Sequence, residues 1–197
     1  LAFKVVNDSY LGKLVFVRVY SGVIKKGQAI YNPRTGKRER VGRVLEIHAD
    51  ARRDIEQLCS GEIGAIVGLR ATTTGDTLCA EHKPVALERI RFPEPVVSMA
   101  IEPRAQSDKD HLAEALSALG DEDPTFRVGA DPETGQTLIR GMGELHLEII
   151  RDRLLREYKV QANTGAPMVA YRETVRASAS AEYEFDRELG GKRHFAR

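Results

Sequence analysis

The sequence predicts a multidomain chain in which an all-β barrel is followed by an α+β domain of the split βαβ kind. Three observations lead there: period-two alternation through about the first ninety residues, a proline-rich junction at Phe92-Pro93-Glu94-Pro95, and two apolar stripes at helical spacing beyond it. In the first region Val15, Val17 and Val19 alternate with Phe16, Arg18 and Tyr20, and later Ile63, Ala65, Val67 and Leu69 alternate with Gly64, Ile66 and Gly68. Successive side chains of a strand point to opposite faces, so this spacing describes half-buried strands. Turn clusters separate the runs at Ser21-Gly22, Lys25-Lys26-Gly27, Asn32-Pro33-Arg34-Thr35-Gly36 and Thr74-Gly75-Asp76. Short strands with no long helix among them favour a small closed barrel, which also hides strand edges.

Proline fixes φ and lacks an N–H, so the junction reads as an extended connector, with the domain boundary near Arg89 to Glu94. A strand over Val96 to Ile101 follows. Ser107-Asp108-Lys109-Asp110 predicts an N-cap with an acidic capping-box partner, opening a helix from about Asp108 to Leu119. Leu112, Ala115, Leu116 and Leu119 give that helix one buried stripe, and Gly120 suits the position after its end. Strands over Phe126 to Val128 and Thr137 to Arg140 flank the turn Asp131-Pro132-Glu133-Thr134-Gly135. A second helix from about Gly143 to Tyr158 buries Leu147, Ile150, Leu154 and Tyr158, and Val160 to Ala162 forms a last strand. The order β-α-β-β-α-β is the ferredoxin-like arrangement, two helices on one face of a four-stranded sheet. The expected domains are 1–90, 95–168 and, from 171 to 197, the truncated start of a further domain. Both ends of the chain look like cuts, since it begins at Leu1 and stops soon after a Gly190-Gly191 turn.

Composition narrows the function. Hydrophobic residues make up 42% and charged residues 30% of the 197, enough for ordinary cores and a solvated surface. Thirty basic against 29 acidic residues leave +1, so no global field draws the chain to nucleic acid or membrane, and such a partner needs a local patch. No apolar run approaches the roughly 18 residues of a membrane span, and no charged, apolar, small-residue series marks a signal peptide. Cys59 and Cys79 are too few for a disulfide framework and lack zinc-ligand spacing, which points to a reduced, cytoplasmic setting. His48, His82, His111 and His194 are dispersed and read as surface or structural residues. No Gly-x-Ser-x-Gly elbow suggests a hydrolase.

Several longer runs carry a resemblance. Ser21-Gly22-Val23-Ile24-Lys25-Lys26-Gly27 and Gly75-Asp76-Thr77-Leu78 resemble signature turns of the barrel that follows the G domain in translational GTPases. Glu122-Asp123-Pro124-Thr125-Phe126, Thr134-Gly135-Gln136-Thr137 and Gly141-Met142-Gly143-Glu144-Leu145-His146-Leu147 are similar to the third domain of elongation factor G, and Tyr171-Arg172-Glu173-Thr174 to the entry of its fourth. The resemblance implies a translation-factor barrel, and a parent protein that couples GTP and magnesium to tRNA–mRNA translocation and ribosome recycling. Its implied partners are the ribosome, both RNA and proteins, and the G domain of the same polypeptide. The chain itself is expected to be monomeric and to hold no cofactor, because no Gly-rich loop ends in Gly-Lys-Ser or Gly-Lys-Thr, and Gly12-Lys13 and Gly36-Lys37 read as turns. Gly190-Gly191-Lys192-Arg193-His194-Phe195 departs from the Gly-Gly-Arg-Gly-Gln-Tyr-Gly-like run of the family's fourth domain. A paralogue specialised for recycling or ribosome protection is therefore an alternative, and an RNA-binding module independent of any GTPase is another.

Two sets of residues are candidates for function. Arg34, Lys37, Arg38, Arg40 and Arg43 form the densest basic stretch and would contact ribosomal RNA phosphates, the other reading being a solvated face. His146, Ile150 and Arg153 fall at i, i+4 and i+7 along the edge of the second helix. Spacing alone allows Ile150 in the core with His146 and Arg153 as its rim. The resemblance implies that this helix faces the switch region of the G domain and, with Pro95 and Thr125, lines the fusidic acid pocket.

Overall fold

The computed structural model describes residues 1–8, 10–49 and 51–196, with backbone alone at Leu189. The first alternating runs form β1 (Ala2–Asp8) and β2 (Gly12–Arg18). Shorter strands follow as β3 (Val23–Lys25), β4 (Ala29–Asn32), β5 (Lys37–Arg40), β6 (Arg43–His48), β7 (Ala51–Ile55), β8 (Gln57–Cys59) and β9 (Ile63–Val67). One five-stranded antiparallel sheet runs β1-β2-β9-β6-β7, while β3 pairs with β8 and β4 with β5 as ribbons. The stretch after β9 draws these pieces into a barrel. Ala2 N–H donates to Asp76 O (2.8 Å) and Gly75 N–H to Ala2 O (2.7 Å), and Tyr31 and Cys79 exchange two bonds of 2.9 Å. Residues 75–79 thus bridge the outer edge of β1 to β4.

Val5, Val15, Val17, Val44, Leu58 and Ile66 fill the barrel. The alternation expected of β9 is not what the fold uses: Gly64, Ala65 and Ile66 are all buried and Ile63 is exposed. As the central strand of its sheet, β9 is covered on both faces, because Ala65 packs with Leu14 and Leu45 in a second cluster behind the first. Backbone approaches closely at Gly42, whose N–H donates to Val67 O at 2.9 Å and where a Cβ would lie 2.8 Å from that same oxygen.

One carboxylate holds the bridging stretch. Asp76, only 4% exposed, receives Arg34 Nε at 2.5 Å and Nη2 at 2.9 Å, Asn32 Nδ2 at 2.9 Å and Thr73 N–H at 2.9 Å. Burial pushes its carboxyl up, but Arg34, the Thr73 N–H and the Asn32 amide together hold it below the usual aspartate range.

Beyond a stretch without regular structure come β10 (Val97–Pro103), α1 (Lys109–Glu122), β11 (Arg127–Ala130), β12 (Thr137–Gly141), α2 (Glu144–Arg156) and β13 (Ala162–Gly165). The sheet order is β11-β12-β10-β13, with every neighbour antiparallel. Leu112, Leu116 and Leu119 of α1 meet Leu147, Ile150 and Leu154 of α2 over Ile101, Phe126 and Ile139. Several boundaries differ from expectation, β10 and β11 each running two residues further than Ile101 and Val128. No capping box forms at Ser107, whose hydroxyl donates to Asp108 Oδ1 (3.2 Å), because a 3-10 turn over Gln106–Asp108 leads into the helix instead. Gly120 lies inside α1 rather than after it, since the last turn is held from outside by the barrel. Asn7 N–H donates to Glu122 Oε1 (2.6 Å), Asn7 Nδ2 to Ala118 O (2.7 Å) and Lys13 Nζ to Asp121 Oδ2 (2.7 Å). At the other end of the domain α2 stops at Arg156, and the last strand begins at Ala162 because Val160 turns into the core and donates its N–H to Leu154 O at 3.0 Å.

Residues 166–184 have no regular secondary structure and lead to a hairpin, β14 (Phe185–Leu189) and β15 (Lys192–Ala196), a separate two-stranded sheet. Its Gly190-Gly191 turn has φ of 60° and 76°, the positive values that a two-residue hairpin loop asks for.

The backbone contacts and the Asp76 hub can be tested by substitution. Gly42→Ala must displace the Val67 carbonyl and is expected to cost about 1–3 kcal/mol, read as a lower urea midpoint for barrel amides followed by NMR. Gly120→Ala, with nothing within 4 Å of its Cβ, should instead gain about 0.5–1 kcal/mol. Asp76→Asn removes the negative charge and one of the two acceptor oxygens from a network that Arg34 shares with solvent, and about 1.5–3 kcal/mol should be lost at neutral pH. Because the folded carboxyl titrates below its unfolded value, this contribution is complete above about pH 4. The gap between wild type and variant should shrink as pH falls through the folded value, and thermal melts across that range measure it.

Candidate functional site

The stripe on α2 meets the segment that ends α1. His146 Nε2 donates to Asp123 Oδ2 at 2.9 Å, and its Nδ1 accepts the Met142 N–H at 3.1 Å. Both ring nitrogens are thereby used by the neutral Nε2–H tautomer. Asp123 Oδ1 accepts in turn from the Thr125 N–H (2.7 Å) and hydroxyl (2.6 Å). Burial raises the Asp123 carboxyl, and the two Thr125 donors and His146 more than offset it, leaving it low. Two turns along α2, Arg153 Nη2 donates to Glu122 Oε2 at 2.7 Å and to Glu157 Oε2 at 2.8 Å. Glu157 first, then Glu122, hold the guanidinium charged well above its ordinary range against the effect of burial.

Structure therefore brings Thr125, His146 and Arg153 together, through Asp123 and Glu122. Ile150 lies between the two polar residues in sequence but in the core in space, 3% exposed. Pro95 is half-buried just before Val96, whose N–H donates to Gly141 O at 3.0 Å, and Gly141 sits against the His146 ring. A Cβ on Gly141 would fall 3.0 Å from His146 Nδ1 and 2.8 Å from a Leu147 methyl, so the glycine lets α2 start close to β12. The Phe126 ring meets the imidazole edge-on at 6.4 Å. Glu122 and Asp123 were given no role in the sequence reading, although they open the run Glu122-Asp123-Pro124-Thr125-Phe126. The available signal was two adjacent acids between a helix and a strand, opposite a helix edge carrying His and Arg.

The basic stretch divides. Arg34 belongs to the Asp76 hub. Arg38 Nη2 pairs with Glu81 at 2.5 Å, and Arg43 makes a two-point contact with Asp54 at 2.9 and 2.6 Å. Arg40 Nε donates to the Gly27 carbonyl at 3.3 Å, and Lys37 is exposed with no ion pair among the described residues. On β5 between them, Glu39 turns inward to the Ala71 N–H (2.7 Å) and the Thr72 hydroxyl (2.5 Å). Charge free of a carboxylate is thus concentrated at Lys37 and Arg40.

Both helices carry an acid in the first turn, Asp110 in α1 and Glu144 in α2, where a phosphate would otherwise be attracted. Among the described residues no group of three His, Cys, Asp or Glu side chains is placed to hold a metal ion.

Residues 92–166 match the family model described as Elongation Factor G, domain III, and residues 12–79 the model described as Elongation factor Tu domain 2. Among solved structures, a crystal structure of a protein from Thermus thermophilus is similar with a TM-score of 0.77 and 28% identity. That match covers 98% of this chain and 29% of the Thermus chain, so the chain spans less than a third of that protein's length. With two successive domain models over most of its residues and the barrel and split βαβ sheet that they call for, the chain is part of a translation elongation factor, joining a domain of the Elongation factor Tu domain 2 kind to one of the Elongation Factor G domain III kind.

Proposed function

We propose that the chain is the connecting middle of a longer ribosomal translocase of the elongation factor G type, acting in the cytoplasm. A G domain elsewhere in that polypeptide would hydrolyse GTP with magnesium, and the chain's share would be mechanical. The observation that carries this reading is the Glu122 junction, where one carboxylate touches the barrel through the Asn7 N–H and α2 through Arg153. A movement of the barrel is then felt by α2 without passing through flexible chain. The outer edge of α2, with His146 and Arg153 beside Thr125 and Pro95, would face the G domain and form one wall of a fusidic acid pocket. Lys37 and Arg40 would meet ribosomal RNA phosphates, positioning the barrel without reading sequence. A paralogue serving recycling or ribosome protection is the second reading, favoured by β15, where Arg193 is engaged by Asp186 in the hairpin rather than presented by a glycine-rich loop.

Two experiments on the full-length protein test the proposal. His146→Ala and Arg153→Gln should lower ribosome-stimulated GTP turnover per folded molecule by about tenfold, equivalent to about 1.4 kcal/mol in the barrier. Arg153→Gln should also lower the melting temperature, because Glu122 keeps a largely buried charge without its cation. Lost stability with normal turnover per folded molecule would leave the stripe a purely structural rim. For the barrel, combining Lys37→Glu with Arg40→Glu should weaken co-sedimentation with ribosomes by about tenfold at low salt and less at high salt, as counterion release requires. Unchanged sedimentation at low salt would make this a solvated face.

A further inference from the structure

Among the described residues the strand β13 pairs with β10 alone, which leaves its other edge open. Its hydrogen-bonding phase can be read from the register. Arg104 N–H donates to Gln161 O at 3.1 Å, which makes Arg104 and Gln161 a bonded pair. Alternate pairs along the ladder, Glu102 with Asn163 and Ala100 with Gly165, likewise spend their backbone groups inward. Ala162 and Thr164 fall in the phase between, opposite Pro103 and Ile101, and aim their N–H and C=O groups outward. Pro103, which has no N–H, stands where the ladder needs none. Among the described residues nothing takes the outward groups.

Beside this edge lies a groove of about 720 Å³, bounded by Arg151, Asp152 and Leu155 of α2 and by Arg104, Gln161 and Asn163. Ile101 and Ala162 pack with the helices, so Arg104, Gln161 and Asn163 belong to the opposite face of the sheet. The edge therefore has an arginine on either side. Arg104 is fixed by neutral acceptors, Gln161 Oε1 at 3.0 Å and Asn163 Oδ1 at 3.2 Å, and keeps its full charge. Arg151 is exposed and has no ion pair among the described residues. Of the nearby acids Asp152 is paired with Arg156 at 2.9 Å, while Glu102, opposite Asn163, receives only the neutral Gln136 amide at 3.5 Å and has no ion pair among the described residues. Leu155, 49% exposed, gives the helix side an apolar floor.

We propose that the open edge of β13 is a docking site for an extended acidic segment of a partner protein, which joins the sheet as a fifth strand. The backbone of such a segment answers the outward groups of Ala162 and Thr164. Its side chains fall alternately on the two faces, so that carboxylates meet Arg151 on one and Arg104 on the other, with an apolar residue over Leu155. Nucleic acid suits the site less well, because a phosphate only accepts and leaves the outward carbonyls unanswered.

The probe is a fluorescein-labelled peptide, Thr-Glu-Glu-Val-Glu-Thr, added to the chain and followed by anisotropy and by amide hydrogen exchange. Binding should slow exchange at Ala162 and Thr164 selectively. Arg104→Ala and Arg151→Ala should each weaken it by about fivefold to tenfold. Thr164→Pro removes an outward donor without touching an inward bond, and N-methylation of alternate peptide amides removes the matching donors from the other side; each should weaken binding by at least about tenfold. Every variant is checked for a native amide spectrum. The proposal fails if the peptide does not bind, or if N-methylation leaves its affinity unchanged. It fails equally if a single-stranded RNA oligomer binds with the same arginine dependence while Ala162 and Thr164 stay unprotected.

Discussion

Both oxygens of Glu122 are committed, one to the Asn7 N–H of β1 and the other to Arg153 of α2, and the side chain is almost out of solvent. A carboxylate in that position is tolerable only while its partners stay, since an uncompensated buried charge costs several kcal/mol. The barrel, α1 and α2 consequently share one electrostatic constraint. Neighbouring contacts depend on it in sequence: Asn7 Nδ2 reaches Ala118 O, Lys13 reaches Asp121, and Asp123 turns the other way to hold His146 and Thr125. Consecutive residues at the end of one helix thus bind several different elements, and the extra turn of α1 through Gly120 follows from what those residues hold.

The chain's near-zero net charge conceals how unevenly its charge is spent. Arg34, Arg38, Arg43, Arg52 and Arg153 all lie against carboxylates. Arg52 on β7 holds Asp8 at the end of β1 at 2.6 Å, and with two backbone N–H groups it draws that carboxyl down to about 2. Arginines that read as a binding stripe in sequence are thus partly fasteners between segments far apart in the chain. Other cationic groups have no ion pair among the described residues, Lys37 and Arg40 on the barrel and Arg104 and Arg151 on the α+β domain among them.

Much of the architecture was legible because it rests on periodicity. Valines at alternate positions fixed β2, the i, i+3, i+4, i+7 stripe fixed α1, and the order of elements led to the split βαβ sheet. What could not be read depends on contacts between segments distant in sequence. The two-sided burial of β9 needs Leu45 and Leu14 behind it, and the length of α1 needs Asn7 and Lys13. At the candidate site the spacing placed His146 and Arg153 on one edge of α2, while the acids that engage them lie in a segment with no periodic signal. Ile150 was legible both ways, on the buried face of α2 by its spacing with Leu147 and Leu154 and on the edge stripe by its spacing with His146 and Arg153, and packing puts it in the core.

The barrel's closure joins its first strand to a stretch more than seventy residues later, at Ala2 with Gly75 and Asp76, and β4 to Cys79. Ordering a loop of that length must be compensated by contacts that exist only when both ends are present. During synthesis, β1 and β2 therefore wait as an incomplete sheet, and the Asp76 hub assembles only once the far end of the barrel has emerged. The pace of this domain is set by chain topology rather than by local propensity, as is usual where non-local strand pairing dominates. An interval of exposed strand edge is built into the birth of the barrel, and it ends when the loop carrying Asp76 arrives.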